Sequence, residues 1–252
     1  MSLLLEYSRW APIYEQIRRE FGFSWAREEA AAAQLRTLLS PATRSRPHER
    51  VTARLGGREV VVVGLAPRAG PPPLWRLPFS PAGVAVAAAD GATATCLEAG
   101  VVPDVIATDL DGPVPSEVTA NGRGSLVVVH AHGDNRDLLE EWVPQFPGEL
   151  VGSWAGPPQD GLLDDGGFTD GDRAAFLAEA AGAVRVLLWG FDFERTDERD
   201  PALRRRKEAK LGWAARVLSE LEKTRPGFLW NWHRDGSQTA YSAAGISGAS
   251  TR

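Results

Sequence analysis

Two aspartates at the end of a short apolar segment have a spacing that suggests chemistry. Residues 105–107 are predicted to form a buried strand, which continues through Thr108 to Asp109 and Asp111. In an extended backbone, residues two apart point to the same side, so we expect both carboxylates to project from one face of the strand end. Such a pair is repulsive unless a cation lies between the carboxylates or one of them is protonated. The pair therefore predicts a divalent metal site.

Three further groups of polar residues lie later in the chain. They are His130, His132 and Asp134; Asp170 and Asp172; and Lys207 with Lys210 on a charged amphipathic helix. Carboxylates without a cysteine cluster favour a hard cation such as Mg²⁺, which commonly bridges carboxylates to substrate phosphates. Because the chain has only one other lysine, this lysine pair indicates compact charges directed at phosphate. An acidic helix N-terminus accounts for Asp170 equally well, and a helix cap accounts for Asp134. Taken together, the groups predict phosphoryl-type transfer.

The elements that would position these groups alternate between strands and helices. Continuous apolar runs predict buried strands at 60–63, 84–89, 105–107, 126–129, 184–189 and 228–232. Helices are predicted at 92–99, at 136–143, from Asp170 onward and at 203–221, whereas residues 151–158 show no regular pattern. This alternation predicts an α/β fold with a mainly parallel, Rossmann-like sheet flanked by helices, whose ligands bind at the carboxyl ends of the strands.

The first part of the chain has a helical character of its own. Apolar residues recur at three- and four-residue spacing at Trp10, Ile13, Tyr14, Ile17 and Phe21. Ser24 is the predicted N-cap of a second helix that ends before Ser40, and residues 43–50 are predicted to be a polar, basic linker. We therefore divide the chain into an N-terminal helical extension, residues 1–55, and an α/β catalytic domain, residues 56–252. We expect the extension to be a helical cap or a homodimer element.

Composition narrows the functional classes. The 252 residues carry a formal net charge of -5, which argues against a nucleic-acid binder because such a protein needs a basic surface. The single cysteine, Cys96, excludes an internal disulfide and fits a reducing cytosol. The sequence has neither a signal peptide nor a membrane-spanning apolar segment. We expect a cytoplasmic protein that binds neither nucleic acid nor membrane.

Two hydrolase families share part of these motifs. The segment 109–112 after a strand is similar to the nucleophile turn of haloacid-dehalogenase-type phosphatases, although that turn normally follows the first strand of the fold. The segment 130–134 is similar to the His-x-His-x-Asp motif of metallo-β-lactamase-type hydrolases. Their zinc sites need further histidines, whereas only His48 and His233 remain here and Asn135 replaces the next one. The phosphatase stays open as an alternative.

The order of the motifs resembles that of the archaeal 6-hydroxymethyl-7,8-dihydropterin pyrophosphokinases, which are similar to the catalytic domain of thiamine pyrophosphokinases. The matching segments are 108–112, 130–135, 167–174, 190–193 and 207–211. The resemblance implies Mg²⁺-dependent transfer of the β,γ-diphosphate of ATP to the hydroxymethyl group of a reduced pterin, with release of AMP. The product would serve folate or methanopterin synthesis.

The resemblance also implies site residues. Catalysis and metal binding would fall to Asp109, Asp111, Asp170 and Asp172, and phosphate neutralisation to Lys207 and Lys210. The residues that match ATP- or pterin-binding positions are Gly64, Arg68, Asp90, Gly91, His132, Asp134, Asn135, Gln159 and Thr169.

One turn departs from the family pattern. The family has Gly-x-Gly-Pro-Ser after its first strand, whereas this chain has Gly64, Leu65, Ala66, Pro67 and Arg68. Ala66 adds a Cβ where the family backbone is bare. Two consequences are open: Arg68 itself binds phosphate, or the protein binds nucleotide without turnover.

Overall fold

The computed structural model describes residues 7–66, 70, 72–73 and 83–242. The strands are β1 (Glu59–Val63), β2 (Val84–Ala89), β3 (Val105–Thr108), β4 (Leu126–Ala131), β5 (Leu150–Trp154), β6 (Leu162–Leu163), β7 (Arg185–Trp189), β8 (Leu229–Trp232) and β9 (Gln238–Ala240). The helices are α1 (Tyr7–Phe21), α2 (Trp25–Leu38), α3 (Pro41–Arg44), α4 (Pro47–Leu55), α5 (Ala92–Glu98), α6 (Val114–Gly122), α7 (Arg136–Trp142), α8 (Asp170–Ala180) and α9 (Pro201–Thr224).

All nine of these strands belong to one sheet, in the order β6-β5-β4-β3-β2-β1-β7-β8-β9. Neighbouring strands pair in parallel, except that β8 and β9 are antiparallel. The predicted mainly parallel sheet is therefore confirmed. The chain extends the sheet in one direction from β1 to β6 and then returns to place β7 on the other side of β1. Ligands of open α/β sheets bind at such a switch point, outside the carboxyl ends of the strands.

The central strands are apolar throughout because both faces of the sheet are covered. Val60 and Val62 of β1 belong to one core cluster, together with residues of α1, α4, α8 and α9. Val61 and Val63 belong to a second cluster on the opposite face, with residues of α2, α5, α6 and α7. Strands buried on both faces have continuous apolar sequences, and this is the pattern that predicted them.

The N-terminal helices contribute to both of these cores. Tyr14 and Ile17 of α1 pack in the first cluster, and Leu35 of α2 packs in the second. The predicted boundary at residue 55 coincides with the end of α4, at Leu55. The predicted linker at 43–50 is wrong: α3 and α4 occupy most of it, and Val51 of α4 is buried. Within the described residues, no helix has the length and apolar character needed to cross a membrane.

The prediction that residues 151–158 are irregular is also partly wrong, because β5 occupies the first half of this segment. Gly152 and Ser153 interrupt any β-branched run, so this segment carries no strand signal. Tertiary packing explains the strand: β5 pairs with β4 on one side and with β6 on the other. A Cβ at Gly152 would lie 2.9 Å from a methyl carbon of Leu39, so glycine allows α2 and the residue after it to approach the sheet.

Candidate active site

The turn after β3 brings Asp109 and Asp111 together by a different route from the predicted one. The hydroxyl of Thr108, the last residue of β3, accepts a hydrogen bond from the Leu110 N–H (2.9 Å) and donates one to Asp90 Oδ1 (3.2 Å). Leu110 is buried and has a φ of 69°, in the left-handed region. The expected extended backbone is therefore wrong, because the chain turns at Leu110. The Asp111 N–H still lies 3.3 Å from Asp109 Oδ1, so the two residues remain neighbours.

Negative charge accumulates around this turn. Loss of hydration, and then the charge of Asp109, raises the pKa of Asp111 to about 6, although Lys210 opposes the rise. Burial, followed by the charges of Asp109 and Asp90, raises the pKa of Asp170 well above its ordinary value. Carboxyl groups with raised pKa values in one cluster lack a compensating positive charge. The donors are carboxylate oxygens, which are the ligands that a hard divalent cation such as Mg²⁺ prefers.

Asp172 has different surroundings from Asp170. Its carboxylate accepts hydrogen bonds from the backbone N–H groups of Thr169 (2.6 Å) and Phe168 (2.9 Å) and from the Thr169 hydroxyl. Thr169 is the N-cap of α8, and Asp172 completes its capping box. Both Asp172 oxygens are thus directed at the start of their own helix. This geometry favours a positioning role for Asp172 over the predicted metal-binding role.

Two of the cavities at this edge of the sheet are lined by predicted site residues. The smaller, of about 30 Å³, is lined by polar residues that include Asp109, His130, His132, Asp170, Arg173 and Lys210. The larger, of about 490 Å³, lies at the switch point between β1 and β7, and its lining includes Ala66, Thr169, Gly171, Phe191, Phe193 and Lys207. The first volume suits a water-sized group, and the second is within the range of small-molecule sites.

The two predicted phosphate-binding lysines lie on α9, one at each cavity. Lys207 lines the larger cavity, and Lys210, three residues later, lines the smaller one beside Asp109 and Asp170. Residues three apart on a helix share a face. Helix α9 thus presents positive charge to both cavities.

The loop after β4 is bound to the aspartate turn. The Asn135 side-chain N–H₂ donates to the carbonyl oxygen of Asp109 (2.8 Å), and its Oδ1 accepts from the backbone N–H of His132 (3.0 Å). Asp134 instead forms a salt bridge with Arg27 of α2 (2.9 Å) and is half exposed. The interpretation of Asp134 as the helix cap is wrong, because Asn135 occupies the N-cap position of α7.

The other predicted ligand-binding residues also lie beyond strand ends. Gly64 follows β1, and a Cβ there would lie 2.7 Å from a carbonyl oxygen of the turn after β7, so these two turns approach closely only with glycine. Asp90 and Gly91 follow β2, and Gly91 is the N-cap of α5. Gln159 lies between β5 and β6 and lines neither cavity. Arg68 lies outside the described residues.

Two charged residues at the site were not predicted. Arg173 of α8 is buried, lines the smaller cavity, and donates hydrogen bonds to the carbonyl oxygens of Gly166 (3.3 Å) and Phe168 (3.4 Å). Glu117 of α6 is fully buried, and burial followed by interaction with Asp90 raises its pKa to about 10. Glu117 belongs to no motif, and Arg173 lies in the matching segment 167–174 but was not singled out as a site residue; no local pattern distinguishes either from a surface charge. Tyr14 and Phe23, which also line the smaller cavity, come from the helical extension.

Fold and site together define an α/β protein with an oxygen-donor, lysine-flanked site at the carboxyl ends of parallel strands. A family model described as MptE-like 6-hydroxymethylpterin diphosphokinase matches residues 82–198. A Pyrococcus furiosus protein named 6-hydroxymethyl-7,8-dihydropterin pyrophosphokinase is 41% identical over 189 residues, which cover 75% of this chain and 79% of the relative. The chain therefore belongs to the 6-hydroxymethyl-7,8-dihydropterin pyrophosphokinase family of diphosphotransferases, and the resemblance seen in its motifs is confirmed.

Two other archaeal proteins with the same name are similar along most of their length. The Methanothermobacter thermautotrophicus protein is 34% identical over 241 residues, covering 90% of this chain and all of the relative. The Methanocaldococcus jannaschii protein is 34% identical over 199 residues, covering 75% of this chain and 80% of the relative. Among solved structures, a MAf glycosyltransferase from Magnetospirillum magneticum AMB-1 aligns at a TM-score of 0.39 and 17% identity, over 64% of this chain and 28% of that chain.

Proposed function

We propose that the protein is a Mg²⁺- and ATP-dependent 6-hydroxymethyl-7,8-dihydropterin pyrophosphokinase. The hydroxymethyl oxygen attacks the β-phosphorus of ATP, the bond from that phosphorus to the α,β-bridging oxygen breaks, and AMP leaves with the bridging oxygen. The hydroxyl proton passes to solvent, and the pterin diphosphate is the second product. The names of the three relatives support the pterin substrate. The observation that carries the proposal is the convergence of Asp109, Asp111 and Asp170 next to Lys210.

Asp109, Asp111 and Asp170 would hold the cation. When bound, Mg²⁺ supplies positive charge that offsets their repulsion and links the protein to the diphosphate oxygens. Lys210 contributes a fixed positive charge to the same cluster, where it already lowers the pKa of Asp111. Asp172 maintains the N-terminus of α8 through its capping box and so fixes the position of Asp170.

The cavity at the switch point is the candidate ATP site. Its position between the turns after β1 and β7 is the place where open α/β sheets bind nucleotides. Lys207 supplies positive charge for phosphate, and the aromatic rings of Phe191 and Phe193 offer apolar surface for the base. Helix α9 carries Lys207 at this cavity and Lys210 beside the aspartates, so we place the triphosphate along the helix from one lysine towards the other.

The deciding experiment incubates the protein with ATP, Mg²⁺ and 6-hydroxymethyl-7,8-dihydropterin. Liquid chromatography then quantifies AMP, ADP and the pterin diphosphate. We expect AMP and pterin diphosphate in equal amounts, and no turnover when Mg²⁺ is chelated or the pterin is omitted. Pterin-dependent formation of ADP would contradict the proposal.

The same materials test the two alternatives. ATP binding by calorimetry without any product would identify a nucleotide-binding protein that does not turn over. Release of phosphate from simple phosphomonoesters, together with trapping of beryllofluoride at Asp109, would identify a phosphatase of the haloacid-dehalogenase type. The phosphatase outcome is not expected, because the aspartate turn follows the third strand in chain order rather than the first.

A further inference from the structure

A buried glutamate of the helical extension contacts the loop after β4. Glu28 of α2 is 2% exposed, and its Oε1 accepts a hydrogen bond from the backbone N–H of Gly133 (3.2 Å). The same oxygen lies 3.5 Å from Nδ1 of His132, at ion-pair distance. The other oxygen, Oε2, is buried and makes no well-formed hydrogen bond among the described residues, although the Tyr14 hydroxyl is close enough that Glu28, second only to burial, raises the pKa of Tyr14. Burying a carboxylate with so little hydration is costly unless the charge is paired or hydrogen-bonded, so the contacts of Glu28 with Gly133 and His132 must offset that cost.

Helix α2 and the loop are built to approach each other. A Cβ at Gly133 would lie 2.7 Å from Cβ of Arg27, so only glycine allows this approach. Arg27 itself pairs with Asp134. Phe23, just before α2, packs edge-on against the His132 ring with centroids 5.4 Å apart. The ring of His132 is thus held by Phe23 on one side and by Glu28 at Nδ1.

The position of Glu28 at Nδ1 bears on which imidazole nitrogen carries the proton. An anionic oxygen next to Nδ1 favours a proton on that nitrogen, and in the neutral ring Nε2 then keeps its lone pair. Because the His132 ring lines the smaller cavity with Asp109, Asp170 and Lys210, that lone pair is available to a group inside the cavity.

The size of this cavity restricts what can occupy it. At about 30 Å³ it admits small groups such as water or a hydroxyl, but not an aromatic ring. His130, the other histidine at the cavity, is engaged elsewhere: its Nδ1 contacts the Ser153 hydroxyl at 3.1 Å. Burial is the main reason that the pKa of His130 is held well below its ordinary value.

We propose that Glu28 is a positioning residue that keeps the His132 proton on Nδ1, so that Nε2 accepts a hydrogen bond from the hydroxyl group of the substrate. That bond turns an oxygen lone pair of the substrate towards the phosphorus. The inference rests on the proposed function, and it assigns a catalytic contribution to the helical extension, which lies outside the segment matched by the family model.

The first test measures the histidine directly and needs no substrate. Nitrogen NMR of protein labelled with ¹⁵N-histidine reports which ring nitrogen is protonated, at a pH where the imidazoles are neutral. The His132 signals are assigned by their absence in His132→Gln. We expect the Nδ1–H tautomer in the wild type and a mixture of tautomers in Glu28→Gln. A wild-type His132 protonated on Nε2 would overturn the inference, whether or not the protein makes pterin diphosphate.

The second test is a double-mutant cycle. Glu28→Gln keeps an acceptor for the Gly133 N–H but removes the charge, and we expect kcat to fall about 10- to 100-fold with little change in KM for ATP. His132→Gln, whose amide oxygen can replace the Nε2 acceptor, should retain more activity than His132→Ala. In the His132→Ala background, Glu28→Gln should have no further effect. An equal further loss in that background would show that Glu28 acts by another route and would refute the proposal.

Glu20→Gln is the matched control. Glu20 also lies in the extension, where its Oε2 accepts a hydrogen bond from Nε1 of Trp213 of α9 (2.8 Å). The substitution removes the same charge and keeps the same acceptor, away from His132. We expect wild-type kcat and the wild-type His132 tautomer. If Glu20→Gln lowers kcat as much as Glu28→Gln does, docking of the extension explains the effect and the inference fails. If the wild type itself forms no pterin diphosphate, the proposed function fails, and the NMR result alone decides the inference.

Discussion

Replacement of Asp109 by asparagine separates the charge of the aspartate cluster from its shape. The Asp109 side chain accepts a long hydrogen bond, 3.3 Å, from the Asp111 N–H, and an asparagine oxygen can accept the same bond. The free energy of unfolding of the metal-free protein should therefore not fall; at neutral pH it should rise, because the substitution removes the repulsion of Asp109 on Asp111 and Asp170. Turnover should fall on the order of 10²- to 10³-fold, because one preorganised charge is lost from the group that binds the metal and phosphate.

The substitution also has an effect that does not depend on turnover. The charge of Asp109 is the second largest cause of the raised pKa of Asp111, after loss of hydration, and it is also the second largest cause for Asp170. In Asp109→Asn, both pKa values should fall towards the ordinary value for aspartate. A carbonyl-carbon NMR titration of the metal-free protein should show the Asp111 midpoint below the value of about 6 in the wild type.

Three measurements check this reasoning: the Mg²⁺ dependence of kcat, the denaturation midpoint, and the NMR titration. Asp137→Asn serves as the control, because Asp137 is exposed on α7 and carries the same charge change outside the cluster. Unchanged turnover in Asp109→Asn would remove Asp109 from the site. An unchanged Asp111 midpoint would show that the two carboxylates are not coupled. A large loss of stability would mean that Asp109 has a structural role that its contacts do not reveal.

Three further predictions concern stability, the ATP cavity and phosphate charge. Because the folded pKa values of Asp111 and Asp170 are raised, their ionisation disfavours the folded state above about pH 6. The metal-free protein should therefore gain stability from these groups as pH falls from 7 towards 5. Mg²⁺ should raise the thermal midpoint more at pH 7 than at pH 5. Gly171→Ala should raise KM for ATP, since a Cβ there would lie 2.9 Å from the Phe191 ring in the larger cavity; an unchanged KM would place ATP elsewhere. Lys207→Met should raise KM for ATP about tenfold or more, as expected for a lost phosphate contact, and equal kinetics for mutant and wild type would exclude that contact.

The sequence located six of the nine described strands, because burial on both faces leaves a plain apolar signature; β5, β6 and β9 were not predicted. Periodicity could not reveal β5, in which Gly152 and Ser153 take the places of branched apolar residues and pairing with two neighbours forms the strand. The turn at Leu110 was also beyond reach, because a left-handed leucine has no sequence signal and depends on the burial of its side chain. Sequence alone also could not separate Asp170 from Asp172, because only the fold shows that Asp170 lines the smaller cavity whereas Asp172 caps α8.

The site depends on parts of the chain that the motif region does not contain. Strand β1 pairs with both β2 and β7, so a fragment limited to residues 82–198 would lack the strand that joins the two halves of the sheet. The same fragment would keep the aspartates but lose both α9 lysines and the residues of the extension that line the smaller cavity. The cluster would then retain its repulsion without the opposing charge of Lys210. The aspartates can therefore act only in a chain that supplies β1, α9 and the helical extension around them.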